Sequence, residues 1–166
     1  MIGDRWGVSG EETARTYPCD RLVPSPAMEA WRGITVDAPA EHVWRWVRQI
    51  RLAPYSYDWI DNLGRTSPRE LRDLDDPRVG DPFLACAGRP LGEVLAVDPG
   101  RELTGEILGA VMSYVLVPVG ARRTRLLLKI VMRRHRWAAP AVSVGDLVMA
   151  RKQLLTWKEL AERLPA

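Results

Sequence analysis

His42 and His135 are the only histidines in this 166-residue chain, and Cys19 and Cys86 the only cysteines. None stands at a spacing that makes a catalytic or metal-binding set. The chain has no HExxH, no CxxC, no phosphate-cradling loop and no glycine-rich dinucleotide fingerprint in a suitable setting. No metal or cofactor is therefore expected. Gly7-Val8-Ser9-Gly10 looks like a nucleophile elbow but lacks the full G-x-S-x-G spacing and a preceding strand. Proton transfer is the chemistry left open, with Tyr57, Asp58 and Tyr114 as candidate catalytic residues. Asp58 or Glu106 can act as a general base only if buried beside Tyr or Arg. Each has a plainer reading: Asp58 as a charge at a helix N-terminus, Glu106 and His135 on solvated strand faces, His42 on the edge of a helix.

Binding chemistry has a broader signal. Seven Trp and four Tyr accompany a single Phe. Trp and Tyr each carry one polar handle on an apolar body, which suits a cavity wall that must also orient a bound molecule. Trp44, Tyr57, Trp59, Tyr114, Met149, Gln153 and Trp157 are the expected ligand-binding residues. Plain core packing competes with that reading for the aromatic residues, and solvation at a helix flank competes for Gln153.

Arg133-Arg134-His135-Arg136-Trp137 is the densest basic cluster, with Arg122, Arg123 and Arg125 nearby. It reads as a charged strand end that blocks edge pairing rather than as a patch for an anionic partner. A net charge of +3 is too mild to imply nucleic acid, although the pI is near 9.1. No apolar run approaches the ~20 residues of a membrane span, and the N-terminus lacks the apolar core of a signal peptide. A reduced, cytoplasmic protein with no disulfide is the expectation.

The elements that must position these residues follow from periodicity. Ser143 to Leu164 repeats Leu147, Ala150, Leu154, Trp157, Ala161 and Leu164 on one side of a long helix, with Arg151, Lys152, Lys158 and Glu162 on the other. Residues 1–27 read as an extended arm lying over the domain, with a short helix after Ser9 and Pro18, Pro24 and Pro26 keeping the chain extended. Glu29 to Asp37 is a strand. A helix follows to about Ile50, with Val43, Trp46, Val47 and Ile50 as its stripe, and a second short helix spans Tyr57 to Leu63. Residues 64–80 form a charged loop. From Asp81 the period shifts toward two, predicting strands over 83–87, 92–97, 102–108, 111–119 and 124–135 as an antiparallel meander. Leu126, Leu128, Ile130 and Met132 alternate with Arg125, Lys129 and Arg133, which predicts one buried and one largely solvated face for the last strand. The fold class is α+β: a curved antiparallel sheet wrapped around one long C-terminal helix, in a single domain over 28–166.

This order resembles the helix-grip fold of the START-like (SRPBCC) superfamily, which includes polyketide cyclase/dehydratase-like proteins. ITVDAPAEHVWRWV (34–47) is similar to that superfamily's opening strand and helix. YSYDWIDNLG (55–64), VGDPF (79–83), the Pro-Gly-Arg-Glu-Leu turn (99–103) and VMARKQLLTWKELAERL (148–164) resemble a bacterial subfamily in the same order. Met112 departs from the pattern, standing where a Trp is expected. The resemblance implies a cavity between sheet and helix for an apolar or aromatic small molecule. It leaves open whether the protein only binds that molecule or acts on it as a cyclase-, dehydratase- or hydrolase-like enzyme.

Overall fold

The computed structural model describes residues 4–133 and 139–165. A six-stranded sheet carries the fold. Its strands are β1 (Arg5–Trp6), β2 (Met28–Val36), β5 (Glu93–Asp98), β6 (Glu102–Ile107), β7 (Ala110–Pro118) and β8 (Thr124–Met132), in the order β1-β2-β8-β7-β6-β5. All neighbours are antiparallel except β1, which pairs parallel to β2. The long helix α5 (Ala139–Glu162) lies across one face. Its first turn precedes the expected start at Ser143. This is the expected α+β helix-grip architecture.

Alternation decides which side chains meet the helix. Leu126, Leu128 and Ile130 of β8 and Tyr114 and Leu116 of β7 point into the core with Ala150, Leu154, Trp157, Leu160 and Ala161 of α5. Helix α3 (Ala40–Val47) closes one end of this core with Val43, Trp44, Trp46 and Val47, then tightens into a 3-10 turn over Arg48–Arg51 that buries Ile50. The Thr124 hydroxyl donates to the Ala38 carbonyl at 2.8 Å and ties the start of that helix to β8.

The opposite face of the sheet is buried, where the alternation of β8 predicts a largely solvated one. It is covered, because residues 4–27 fold back over it. Ser9 caps α1 (Gly10–Ala14) in a reciprocal capping box with Glu12. Pro18, expected to keep the chain extended, is instead the first residue of α2 (Pro18–Leu22), where its missing N–H costs nothing. Tyr17, Cys19 and Val23 pack with Trp31, Val111, Val115, Leu127 and Val131 into a second apolar cluster. Lys129, expected on a solvated face, is only 5% exposed. Its ammonium meets Asp20 at 2.5 Å and Glu29 at 3.4 Å and lies over the Trp31 ring. Arg125 grips Glu12 through two hydrogen bonds of 2.8 Å and reaches the Gly7 carbonyl at 2.7 Å. That ion pair holds the Glu12 carboxyl below its usual pKa, against the opposing effect of burial.

Two further differences concern the segment before the main meander. Helix α4 (Asp58–Asp61) is shorter than expected, since Leu63 and Gly64 both adopt left-handed backbone and end the turn. The first expected meander strand, β3 (Leu84–Cys86), does not join the sheet. It pairs with β4 (Arg89–Leu91) across an Ala87-Gly88 turn with positive φ at both residues, forming a separate hairpin. The loop over 64–80 is pinned by its polar contacts: Trp44 donates to Asp76 at 2.7 Å, and Gln49 bridges Tyr55, the Glu70 carbonyl and the Arg72 amide. The end of the strand expected over 124–135, including His135, and the rest of the basic cluster through Trp137 lie outside the described residues.

Candidate functional site

A curved sheet diverges from a straight helix, and the gap left here is a cavity of about 610 Å³ between the sheet, α5 and the loop before α4. Most of its wall is apolar. Met28, Met112, Met132 and Met149, which are all the methionines after Met1, line it. Methionine is unbranched and polarisable, so a wall built from it adapts to ligands of different shape. Phe83 closes one side by lying against the backbone of Gly105, where any Cβ would overlap the ring. Leu108, 85% exposed at the tip of the β6–β7 turn, stands at the mouth.

Two polar sets face this space. In the first, Tyr114 Oη donates to Gln153 Oε1 at 2.6 Å, and Gln153 Nε2 donates to the Pro54 carbonyl at 2.6 Å. Gln153 is buried, so it belongs to the wall and not to a solvated flank. Trp157 packs edge-on behind Tyr114, with ring centroids 5.3 Å apart.

The second set is Ser56 and Asp61. The Ser56 hydroxyl and Asp61 Oδ1 are buried and make no hydrogen bond to any other described residue, while the Ser56 hydroxyl lies beside the Asp61 carboxyl and acts on it. Asp61 is the only charged side chain on the described lining. Burial pushes its carboxyl pKa above the ordinary value, the nearby Ser56 hydroxyl works against that rise, and the charge of Asp58 adds to it. Cys86 Sγ donates to the Asp61 carbonyl at 2.8 Å, and Asn62 accepts from the Ala87 amide at 2.8 Å. These bonds lock α4 against the β3–β4 hairpin.

Strain concentrates around the same space. Among the described residues, the non-glycine ones with positive φ are Tyr55, Leu63, Ala87 and Leu108. Leu108 lines the cavity, while Leu63 and Ala87 line a groove of about 700 Å³ that shares Cys86 and Leu91 with it. Tyr55, between lining residues Pro54 and Ser56, turns its ring inward against Trp46 and Trp157. Left-handed backbone costs a non-glycine residue about 1 kcal/mol or more and persists only where the surroundings enforce it. At Tyr55, it turns the ring into the core while the residues on either side line the cavity.

The expected site residues divide accordingly. Tyr114, Met149 and Gln153 lie on the lining, and Trp157 supports it from behind. Trp44, Tyr57 and Trp59 do not line it. Trp44 is tied to Asp76, Tyr57 precedes α4, and Trp59 is 75% exposed. Asp58 does not line it either, because its carboxylate accepts from the Ser67 amide and hydroxyl and staples the loop. Glu106 pairs with Arg133 at 3.6 Å, while Arg123 and Arg125 pair with Asp37 and Glu12. Sequence reasoning missed Ser56 and Asp61. The one usable signal was Asp61 lying three residues beyond Asp58 on a short amphipathic turn.

No protein-family model matches the chain, and no curated protein is significantly similar to it. Solved structures do match in fold. Protein MLL2253 from Mesorhizobium loti is 20% identical, with a TM-score of 0.53 over 84% of this chain and 100% of its own. The Zhui aromatase/cyclase from Streptomyces sp. R1128 is 16% identical, with a TM-score of 0.50 over 82% of this chain and 94% of its own. The di-domain aromatase/cyclase BexL from the BE-7585A biosynthetic pathway is 18% identical, with a TM-score of 0.51. That match covers 81% of this chain and 46% of BexL, so the chain spans about half of the di-domain protein. Among the described residues no helix is long and apolar enough to cross a membrane. The fold of this chain is the START-like, polyketide cyclase-like helix grip.

Proposed function

We propose that the protein binds an apolar or aromatic small molecule in the cavity between the sheet and α5. The observation that carries this reading is the cavity itself: about 610 Å³, walled by four methionines and other apolar side chains, in a size range typical of small-molecule sites. Tyr114, Met149 and Gln153 are the expected residues that contact the ligand, with Trp157 fixing the Tyr114 ring. Two structural neighbours named as aromatase/cyclases support a hydrophobic, ring-bearing ligand. Native mass spectrometry of the purified protein, followed by denaturing extraction, tests the reading. A co-purifying apolar molecule, or saturable uptake of an apolar aromatic probe by the empty protein, is the expected result. Failure of both to appear would overturn it.

A second reading is an enzyme of the cyclase, dehydratase or hydrolase kind working in the same cavity. One observation favours it, namely a carboxyl group on the wall, Asp61, whose pKa is raised by burial. Turnover of a polyketide-like substrate that Asp61→Asn abolishes while binding persists is the outcome this reading requires.

A further inference from the structure

We infer that Ser56 and Asp61 form a hydroxyl-binding subsite, so that the cavity takes a hydrophobic molecule carrying an alcohol or phenol group. The inference rests on the cavity reading above and adds the one polar feature the ligand must have. Of the polar side chains on the described lining, Tyr114 and Gln153 bond each other, and Cys86 is committed to the Asp61 carbonyl. That leaves the Ser56 hydroxyl, on a residue 9% exposed, and Asp61 Oδ1 as buried lining atoms with no well-formed hydrogen bond, the Ser56 hydroxyl reaching only toward the Asp61 carboxyl beside it. A buried polar atom left unpaired costs on the order of 1–3 kcal/mol, so native structures rarely leave two in one apolar wall without use.

The pair is also held in place. Tyr55 anchors the chain before Ser56 through its buried ring and its hydroxyl, which accepts from Gln49 Nε2 at 2.7 Å. The Cys86 and Asn62 bonds fix α4 behind Asp61.

The chemistry of the pair selects the ligand group. Asp61 Oδ1 needs a donor, and the Ser56 hydroxyl can give its hydrogen to an acceptor. A ligand hydroxyl does both at once, donating to Asp61 while accepting from Ser56. A ketone or ether oxygen leaves Asp61 unpaired. An ammonium ion offers Ser56 no acceptor and must shed its water in a wall that otherwise disfavours charge.

Three pyrene derivatives of nearly equal shape test this: 1-pyrenemethanol, 1-methylpyrene and 1-pyrenemethylamine, titrated by fluorescence into the full chain. The alcohol is expected to bind about tenfold more tightly than the methyl compound, the scale of one net hydrogen bond. Ser56→Ala combined with Asp61→Leu is expected to remove that preference, weakening the alcohol relative to 1-methylpyrene, and a far-UV circular dichroism spectrum that matches the parent's shows that the variant is folded. Equal affinity for alcohol and methyl compound would overturn the subsite alone. So would tightest binding of the amine, or a preference for the alcohol that survives in the double variant. Binding of none of the three would overturn the cavity reading and the subsite with it.

Discussion

Tyr114 in the middle of β7 and Gln153 in the middle of α5 are joined by a buried hydrogen bond of 2.6 Å, and Gln153 continues it to the Pro54 carbonyl. Sheet, helix and the loop before α4 thus meet at one amide. Each partner lies far from the others in sequence, so the bond forms only once the helix is gripped.

Gln153→Leu removes the donor to a buried carbonyl and is expected to lower stability by roughly 2 kcal/mol, and Tyr114→Phe by about 1 kcal/mol. Because the two share one bond, the double variant should fall short of the sum by about 0.5 kcal/mol or more. Urea unfolding of the four proteins measures this, and strict additivity would show that the two side chains act independently.

Phe83 lies flat against Gly105 of β6, where a Cβ has no room. Gly105→Ala must push the ring into the cavity or bend the strand. Overpacking of this kind costs typically 1–3 kcal/mol. Adding Phe83→Leu should recover part of the loss, which a thermal melt of the single and double variants resolves.

Lys129 is buried beneath α2, with Asp20 and Glu29 as its ion-pair partners. Burial by itself disfavours the charged ammonium, but the two carboxylates outweigh it and raise the Lys129 pKa. Asp20→Ala should therefore destabilise the protein by roughly 2 kcal/mol, since a buried charge loses its nearest partner. Combining it with Lys129→Met should restore most of that stability, because an apolar side chain needs no partner there. Chemical denaturation of both variants is the check.

Asp61 should make stability fall as pH rises. Its folded-state pKa lies above the ordinary 3.8, chiefly through burial, so the folded protein holds this proton more tightly than the unfolded chain. The penalty is absent below pH 3.8, develops as pH rises toward the folded-state pKa, and is fully present above it. Asp61→Asn should raise Tm at neutral pH, with the gain vanishing at acid pH. A gain that is constant with pH would show that the carboxyl is not perturbed by its site.

The physics behind what was legible in the sequence is local. A helix with a sustained 3.6-residue stripe and strands with a period near two declare themselves wherever one face is buried, so α5, α3 and β5 to β8 could be read from residues alone, as could the motif ITVDAPAEHVWRWV. Tyr114, Met149 and Gln153 were reachable for the same reason, each lying on or beside a stripe that had to face the sheet. The rest depended on contacts that periodicity does not encode. Lys129 reads as solvated until α2 folds back over β8 and supplies Asp20. Trp59 reads as a cavity residue until Leu63 and Gly64 end α4 and leave the ring outside. Ser56 and Asp61 carry no motif, and they become a pair only because Tyr55 takes a left-handed turn and Cys86 reaches across from a hairpin 25 residues away. Sequence alone determined the grip and the helix it holds, while tertiary structure decided which polar atoms were left facing the space between them.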